Sequence, residues 1–535
     1  MSITSLTFVV FVFATILLYY IVPKRFQWLV LLAANIVFYY NAGKRAAVCV
    51  LFTATSIYLA ARLMDRVLEK QRVQFEAQKG TLSKEEKKAI KHKNQNKRKA
   101  IMLIALLSNI GILCVSKYAH FALEQINTLI SAFGGARIND NLNVIMPYVP
   151  LGISFYTFQS VGYLLDVYWE KTTSQKNYLK FLLFVSFFPQ MTQGPISEYG
   201  KLSNELFTEH TFSYKNYSYG LQRMLWGFAK KLIVADVLGV YVANVFANYE
   251  SYTGITTLLG AFCYSIQIYA DFSGYMDIMC GLCETLGIQL KENFDHPYFS
   301  KSIAEYWRRW HISLGDWFKN YIYYPIGMSN WSRQLAKKAK QKFGAYVGNT
   351  LPATIALVIV WTATGLWHGA SWGYIVWGLL NGVFIIFSMW MEPVYANWKA
   401  KLKINDTSRA YQFFQIIRTF FLVTLIKVLP EVGSLRRGLG LWKHIFTDFR
   451  IPTSIHQLLE FVSTGKYWLI LAAAGTVLMF AVSLLQTRCK VRDLFNRLPI
   501  SLRILVMSCG AIFVAVFGGM ALYSYGGGGF LYAGF

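Results

Sequence analysis

The sequence predicts an all-α, polytopic integral membrane protein with about 11–12 transmembrane helices and further re-entrant or interfacial helices. Hydrophobic residues make up 55% of the 535 residues and charged residues only 15%, whereas a soluble domain usually carries about 25% charged residues. Mean hydropathy is positive, at +0.36. Apolar runs of about 20 residues, long enough to cross a hydrocarbon core of roughly 30 Å, recur along the chain. No long polar stretch remains, so residues 1–535 are expected to form a single membrane domain.

Nine apolar runs are predicted to be spanning helices. The first has no basic residues before it and no small-residue cleavage site after it, which favours a helix over a secretory signal. The runs cover residues 5–22, 26–42, 46–64, 101–118, 350–367, 372–390, 413–429, 467–485 and 504–523.

The distribution of charge predicts how these helices are oriented. The net charge is +26, but the basic residues cluster in linkers between apolar runs, as the positive-inside rule expects of cytoplasmic segments. The strongest cluster, residues 65–99, holds twelve Lys or Arg against five acids. It is expected to be a solvated cytoplasmic helix or loop, and docking of a cytoplasmic partner or anionic lipid is the alternative. A nucleic-acid partner is not expected. The other basic linkers are 333–342, 399–409 and 488–503.

Alternate crossings counted from these linkers give one topology. Both termini are predicted to be extracytoplasmic, and the turn near His368 lies on the same outer side. Predicted inner segments are 65–99, 169–177 and 283–349, and predicted outer segments are 120–146 and 433–465.

Two regions are not predicted to be ordinary spanning helices. Residues 181–196 are apolar but are interrupted at Pro189 and at Gly194-Pro195, which indicates a re-entrant element. Residues 293–327 are aromatic, basic and interrupted, which favours short helices at the inner interface. Broken elements of this kind commonly line a site.

The first candidate reactive group is His311, within Glu305-Tyr-Trp-Arg-Arg-Trp-His311. A continuous helix would place Trp307 and His311 on one face, with Arg308 three residues before the histidine. An aromatic wall, a titratable nitrogen and a fixed positive charge suit an anionic thioester donor, since guanidinium groups bind phosphate. The alternative is that the tryptophans and arginines anchor the interface and His311 is incidental.

The second candidate is His368, which ends an apolar run. Gly365 and Gly369 flank it and allow a substrate or another backbone to approach closely. A neutral imidazole can accept a proton from a hydroxyl and return one to a leaving group. A structural histidine bonded to a neighbouring carbonyl is the alternative.

Further polar groups lie in apolar surroundings. Asp271 needs a partner, predicted to be one of the histidines or an arginine of the inner segment. Gln190 could line a cavity, as could Gln159, Gln193 and Gln267.

Several other chemistries lack their motifs. The chain has no phosphate-binding loop of the G-x-x-x-x-G-K-[ST] type and no H-E-x-x-H pair, and the two histidines are not at metal-ligand spacing, so no metal is predicted. The seven cysteines form no disulfide framework, and the Cys280-x-x-Cys283 spacing has no thioredoxin-like context.

Residues 293–327 and 364–382 resemble the two signature blocks of the membrane-bound O-acyltransferase family. Residues 187–199, 227–236 and 269–278 resemble its bacterial alginate O-acetyltransferase branch, and so does the closing Phe-Leu-Tyr-Ala-Gly-Phe at 530–535. This branch is related to the D-alanyl transfer protein of teichoic acid synthesis. The blocks run from about residue 150 to residue 390.

The resemblance implies a helical fold around a tunnelled core, with residues 150–392 as the catalytic core between N-terminal helices 1–150 and C-terminal helices 393–535. His368 falls on the family's catalytic histidine, and His311 falls on a second characteristic position nearer the donor. The segment after Phe420 departs from the Trp-Phe-Arg-like motif of relatives, so acceptor recognition is not carried over. The predicted donor-side or tunnel-lining residues are Trp307, Arg308, Trp310, Asp271, Gln190 and Trp367.

The expected activity is O-acyl transfer, most simply acetyl transfer, across a bacterial cell membrane to an extracellular polysaccharide. No bound cofactor is expected. The acyl thioester co-substrate is acetyl-CoA or an acyl carrier protein, and a secreted or membrane-anchored acetyltransferase is the expected partner. D-alanyl transfer to teichoic acid and a lipid or sterol acyltransferase are alternatives. From another class, a proton-coupled transporter would use the same histidines.

Overall fold

We examined a computed structural model that describes residues 3–139, 149–451 and 466–525. Within these residues the chain is helical, and the only β-type pairing is an isolated bridge between Phe294 and Trp310. This confirms the predicted all-α class. Seven of the described helices are long and apolar enough to cross a membrane, and two shorter apolar helices accompany them. The further crossings needed for the predicted 11–12 remain a prediction.

The chain divides into two compact units. The first comprises residues 1–217 and 283–290. All seven of its helices contribute buried apolar residues to its core. Its helices are α1 (Leu6–Ile21), α2 (Gln27–Ala42), α3 (Lys44–Ala77), α4 (Lys84–Ala132), α5 (Ile153–Tyr168), α6 (Tyr178–Ser186) and α7 (Tyr199–Phe207).

The second unit comprises residues 218–282 and 291–535. It contains both candidate histidines. Its helices are α8 (Tyr214–Ala229), which begins just before the unit, α9 (Asp236–Ala247), α10 (Gly254–Thr285), which ends just beyond residue 282, α11 (Ile303–Arg309), α12 (Ile312–Phe318), α13 (Tyr324–Gly327), α14 (Asn330–Phe343), α15 (Ala345–His368), α16 (Trp372–Trp390), α17 (Glu392–Lys401), α18 (Arg409–Val428), α19 (Leu435–Thr447), α20 (Lys466–Gln486), α21 (Val491–Phe495) and α22 (Ile500–Tyr525).

Each of the nine predicted runs lies on a helix, with at most one residue of the run beyond either end of that helix. Several of these helices, such as α3 and α4, extend well beyond the apolar run. The basic cluster 65–99 is almost entirely helical, because α3 and α4 both extend into it. Ser83 caps α4: its hydroxyl accepts from the Glu86 amide (3.1 Å), and the Glu86 carboxylate accepts from the Ser83 amide (2.8 Å). This reciprocal cap satisfies two otherwise unpaired amides and fixes where the helix begins.

Both predicted interrupted regions contain short, broken helices, while their re-entrant and interfacial positions in a membrane remain predictions. Helix α6 has only nine residues, about 14 Å at 1.5 Å per residue, which is too short to span a bilayer. A single 3₁₀ turn at Phe188–Gln190 follows it. Residues 293–327 form α11, α12 and α13, joined by short irregular or π-helical segments.

The α15–α16 hairpin holds His368 in place and depends on glycines. A methyl group on Gly365 would lie 2.6 Å from the Tyr374 carbonyl oxygen, and one on Gly378 would lie 2.5 Å from the Trp361 carbonyl oxygen. The two backbones are therefore too close for larger residues. Either a substrate or another backbone was predicted to approach Gly365, and in the structure it is the backbone of Tyr374 and Ile375 that does so.

Some predictions fall outside the described residues. These are the aromatic tail 530–535 and parts of the loops 120–146 and 433–465. The predicted single domain with boundaries near residues 150 and 392 remains a prediction.

Candidate active site

The two predicted histidines both pack against one tryptophan. The Trp367 ring centroid is 5.9 Å from that of His311 and 4.9 Å from that of His368. His311 is 2% exposed and His368 is 3% exposed, so both imidazoles belong to the interior of the second unit. Residues that are 57 positions apart in sequence therefore form one aromatic and imidazole cluster. The tunnel to them that the resemblance implies remains a prediction.

The end of α15 determines where the His368 ring points. Helix α15 stops at His368, Gly369 is extended, and Ser371 caps α16 by accepting from the Tyr374 amide at 3.4 Å. The His368 ring then packs against Trp377 of α16, with centroids 4.8 Å apart, and lies nearly parallel to Tyr374 at 6.3 Å. The imidazole is thus held by rigid helical neighbours.

His311 lies at a break between two helices. Helix α11 ends at Arg309, and His311 has left-handed backbone angles (φ 49°, ψ 51°) before α12 begins. The continuous helix predicted for residues 305–311 is therefore wrong. The break follows from backbone pairing with the preceding segment: the Asp295 amide donates to the Arg309 carbonyl (3.0 Å) and the Ile312 amide donates to the Asn293 carbonyl (3.1 Å).

Burial controls the protonation of His311. Its ring packs edge-on against Phe272, with centroids 4.8 Å apart, as well as against Trp367. Desolvation lowers its pKa from 6.5 to about 3, because burial disfavours the charged imidazolium. His311 is therefore neutral at physiological pH, as a proton acceptor or a hydrogen-bonding group must be.

This pKa predicts a pH-dependent stability. Between about pH 3 and 6.5 the unfolded chain binds a proton at residue 311 that the folded chain does not bind, so stability is complete above 6.5 and falls as the pH falls. The slope from this group approaches about 1.4 kcal/mol per pH unit. We expect thermal unfolding of purified wild-type protein to be more acid-sensitive than that of His311→Asn from pH 7 to pH 4. Parallel curves for the two proteins would contradict the assignment.

Trp307 packs against Trp377, which also packs on His368, and does not share a helix face with His311. Its indole Nε1–H donates to Asn381 Oδ1 at 2.9 Å. Its ring centroid is 4.9 Å from Trp361 and 5.5 Å from Trp377, the residue that also packs on His368. The tryptophan therefore connects α11 to the α15–α16 hairpin.

Removing the indole donor is expected to destabilise the protein measurably. In Trp307→Phe the buried Asn381 oxygen loses its indole donor, and an unsatisfied buried acceptor costs about 1–3 kcal/mol. The midpoint of thermal unfolding should fall. In an Asn381→Leu background the same change should cost less, because no acceptor remains. Equal losses in both backgrounds would show that the hydrogen bond contributes nothing.

Of Arg308 and Asp271, only Asp271 departs from its prediction. Arg308 is exposed, while the neighbouring Arg309 pairs with Glu305 at 2.7 Å. Asp271 is buried on α10 and pairs with Lys231 Nζ at 2.7 Å, where a histidine or arginine partner had been predicted. Lys231 belongs to a π-helical segment, Lys230–Ala235, and also reaches Asp236 at 2.7 Å. An exposed guanidinium remains available to a soluble anionic donor.

Gln190 lies in the first unit. It is buried in the 3₁₀ turn after α6, and its Nε2 donates to Ser197 Oγ at 2.6 Å. Its proposed place along a substrate path remains a prediction.

Lys427, a buried lysine on α18, was not among the site residues predicted from the sequence. Its Nζ lies 3.9 Å from the ring centroid of Trp310, and 5.0 and 5.1 Å from those of Tyr298 and Tyr306. It also donates to the Tyr298 hydroxyl at 3.0 Å. An ionisable residue at membrane depth is a functional hypothesis by default, and this was the signal available in the sequence.

Within the described residues, no cluster of three or more His, Cys, Asp or Glu side chains could hold a metal ion. The groups present near the two histidines are imidazole, indole, phenol and a lysine amine. These can accept protons, donate hydrogen bonds and pack against an apolar or thioester-bearing chain.

The fold and these groups define an α-helical membrane protein with paired, tryptophan-linked histidines in its interior. Residues 172–428, which contain both histidines and Lys427, match the model of MBOAT, the membrane-bound O-acyltransferase family. The chain therefore carries a domain of the membrane-bound O-acyltransferase family and is a multi-pass membrane protein.

The chain is similar to several bacterial proteins whose names refer to acyl transfer. The chain is 32% identical over 352 residues to a Pseudomonas aeruginosa protein named "Probable alginate O-acetylase AlgI", covering 65% of this chain and 60% of that one. It is 31% identical to the Helicobacter pylori "Peptidoglycan O-acetyltransferase" (53% and 54% covered) and 28% identical to the Bacillus subtilis "Teichoic acid D-alanyltransferase" (51% and 66% covered). The matches thus span less than two thirds of each relative.

Proposed function

We propose that this protein is an O-acyltransferase that moves an acetyl group from a thioester donor, across a bacterial cell membrane, toward hydroxyl groups of a cell-envelope polysaccharide. The observation that carries the proposal is the His311–Trp367–His368 cluster inside the matched family domain. The names of the relatives that are 31–32% identical support acetyl as the group and a polymer as the acceptor.

In the proposed reaction His368 acts as the general base. It accepts the proton of an acceptor hydroxyl as that oxygen attacks the thioester carbonyl. The new C–O bond replaces the C–S bond, and the imidazolium returns the proton to the departing thiolate. No redox step or external oxidant is needed. His311, neutral because of burial, packs against the Trp367 ring and is proposed to help to position the donor.

The donor is proposed to be acetyl-CoA or an acyl carrier protein, arriving at the side where the basic linkers lie. The exposed guanidinium of Arg308 suits the phosphates of either donor. A secreted or membrane-anchored acetyltransferase is the proposed partner that completes esterification outside. With the basic linkers on the cytoplasmic side, both chain termini are proposed to lie on the extracytoplasmic side.

D-alanyl transfer to teichoic acid is the second candidate. It is supported by the match to the Bacillus subtilis D-alanyltransferase, which at 28% identity is weaker than the acetylase matches. A proton-coupled transporter would use the same histidines, but it would leave no covalent product.

The test is the ester content of the envelope polymers of the source bacterium. Base-released acetate and D-alanine are quantified in the parent strain, in a strain lacking this gene, and in that strain carrying the gene on a plasmid. We expect base-labile acetate on polysaccharide to disappear on deletion and return on complementation. Loss of D-alanine instead would favour the second candidate, and unchanged amounts of both would overturn the proposal.

A further inference from the structure

The second unit contains a cavity of about 940 Å³ that the proposed reaction does not use. Its lining includes Leu471 and Val482 of α20 and Phe513 of α22 on one side, and Tyr269 and Asp277 of α10 on another. Cavities of about 300–1,000 Å³ with mostly apolar walls and a few placed polar groups commonly bind small molecules.

The cavity is polar at one end and apolar at the other. Along α20 its lining runs from Gln486 to Leu471, which is about 22 Å at 1.5 Å per residue. Gln222 of α8 lies at the polar end, because its amide donates to Asn496 Oδ1 in the linker after α20 (3.3 Å). Val234 lies toward the apolar end, because it is next to Gly475 of α20: a Cβ added to Gly475 would lie 2.8 Å from a Val234 methyl carbon.

Four of the five Lys, Arg, Asp and Glu side chains that line the cavity form ion pairs with one another, and the fifth, Arg492, belongs to the linker at the polar end. Arg223 binds Asp277 at 2.9 Å and Glu292 at 2.5 Å, and Lys230 binds Asp277 at 2.5 Å. These ion pairs leave the wall near neutral, so the apolar lining decides what enters the deep end.

Exposed positive charge lies at the polar mouth. Residues 488–503 carry five Lys or Arg against one acid. Arg488, Lys490 and Arg497 are exposed. The single acid, Asp493, is engaged by the Tyr219 hydroxyl at 2.5 Å. Basic groups at the inner end of transmembrane helices attract anionic lipid headgroups.

We propose that this cavity binds one anionic phospholipid, with an acyl chain between α20 and the α8–α10 wall and the phosphate headgroup on the basic linker 488–503. The cavity length fits a lipid. One leaflet supplies acyl chains of about 15 Å, half of a hydrocarbon core of roughly 30 Å, and the remaining part of the lining of about 22 Å along α20 is left for the headgroup end. A pantetheine arm fits less well, because its amides would be left without hydrogen-bond partners at the apolar end.

The lipid site adjoins the rings around His311. Tyr269 and Phe294 line the cavity, and their ring centroids lie 6.1 and 5.0 Å from that of Trp310, the residue before the histidine. An acyl chain in the cavity therefore supports this aromatic layer. That consequence rests on the proposed function, whereas lipid binding itself does not.

Lipid retention tests the proposal without any catalytic readout. Protein reconstituted with either phosphatidylglycerol or phosphatidylcholine is extracted into mild detergent and weighed by native mass spectrometry. Ala474→Phe fills the cavity, and Ala473→Phe is its matched control on the exposed face of α20. A third protein carries Arg488→Gln, Lys490→Gln and Arg497→Gln.

We expect wild type and Ala473→Phe to retain one phosphatidylglycerol at least about tenfold more than phosphatidylcholine. Ala474→Phe should lose the bound lipid, and the triple variant should lose the preference for phosphatidylglycerol. Equal retention by the two phenylalanine variants, or no headgroup preference in wild type, would overturn the site. Displacement of the lipid by acetyl-CoA would reassign the cavity to the donor.

A measurement on unmodified protein guards against variants that fail to fold. Phosphatidylglycerol with a photoactivatable group near the end of its acyl chain is crosslinked to the wild-type chain, and the labelled peptides are sequenced. Labels within 471–482 or 506–514 support the proposal. Labels within 222–234 or 269–277, on the other wall of the cavity, also support it, and labels confined to residues outside the cavity lining contradict it.

Discussion

His368→Ala is expected to reduce acyl transfer by about 10²–10⁴-fold, because general base catalysis contributes on that scale. The ring lies at the end of a rigid helix and packs on Trp377 at 4.8 Å and on Trp367 at 4.9 Å. Its removal leaves the acceptor hydroxyl without a base, while the binding surfaces on either side remain. The loss should therefore appear in turnover more than in apparent donor affinity.

The measurement is transfer of radiolabelled acetyl groups to polysaccharide in membranes from complemented strains, at equal protein abundance. His92→Ala is the control, since His92 is exposed on α4, outside the second unit. His368→Gln should be as inactive as His368→Ala if proton transfer is the role. Full activity in either His368 variant would remove the histidine from the mechanism and return it to a structural role.

The sequence predicts the helical framework well because the bilayer imposes strong local rules. Apolar length alone locates the nine runs, and Pro189 with Gly194-Pro195 marks the interrupted segment. The pairing of His311 with His368 is less local. The α15–α16 hairpin, whose close approach is marked by glycines such as Gly365 and Gly378, fixes His368. Contacts from the segment before His311, such as the Trp307 hydrogen bond to Asn381, then connect that segment to the hairpin.

What the sequence did not predict depends on contacts between distant segments. Helical periodicity runs through residues 305–311, yet the backbone of Asn293 and Asp295 interrupts it before His311. Likewise, nothing near Asp271 in sequence identifies Lys231 as its partner across 40 positions. Tertiary pairing of this kind overrides local helix propensity.

Lys427→Met is expected to lower acyl transfer by about tenfold or more while leaving the protein equally or more stable. Replacing a buried charge by an apolar residue of similar volume is often neutral or stabilising. The Lys427 amine nevertheless lies 3.9 Å from the Trp310 ring centroid, close enough to restrict that ring. Methionine removes that contact and the hydrogen bond to the Tyr298 hydroxyl.

The reason for the activity loss is the position of Trp310. It directly precedes His311, whose φ of 49° is unfavourable for a residue with a side chain and must be enforced by its neighbours. Freed from the amine, the Trp310 ring can shift, and the imidazole shifts with it. Lys427 is thus a positioning residue, and Lys427→Arg, which keeps a cation, should restore part of the turnover.

Opposite changes in two measurements distinguish this role from a purely structural one. Thermal unfolding of purified Lys427→Met should occur at or above the wild-type temperature, while its turnover falls at an unchanged apparent donor affinity. Arg409→Gln, on the exposed start of the same helix, should change neither. A variant that loses stability and activity together would show that Lys427 only supports the fold. Wild-type turnover in Lys427→Met would show that the Trp310–His311 geometry does not depend on the lysine, because the other rings around Trp310 would then suffice to hold it.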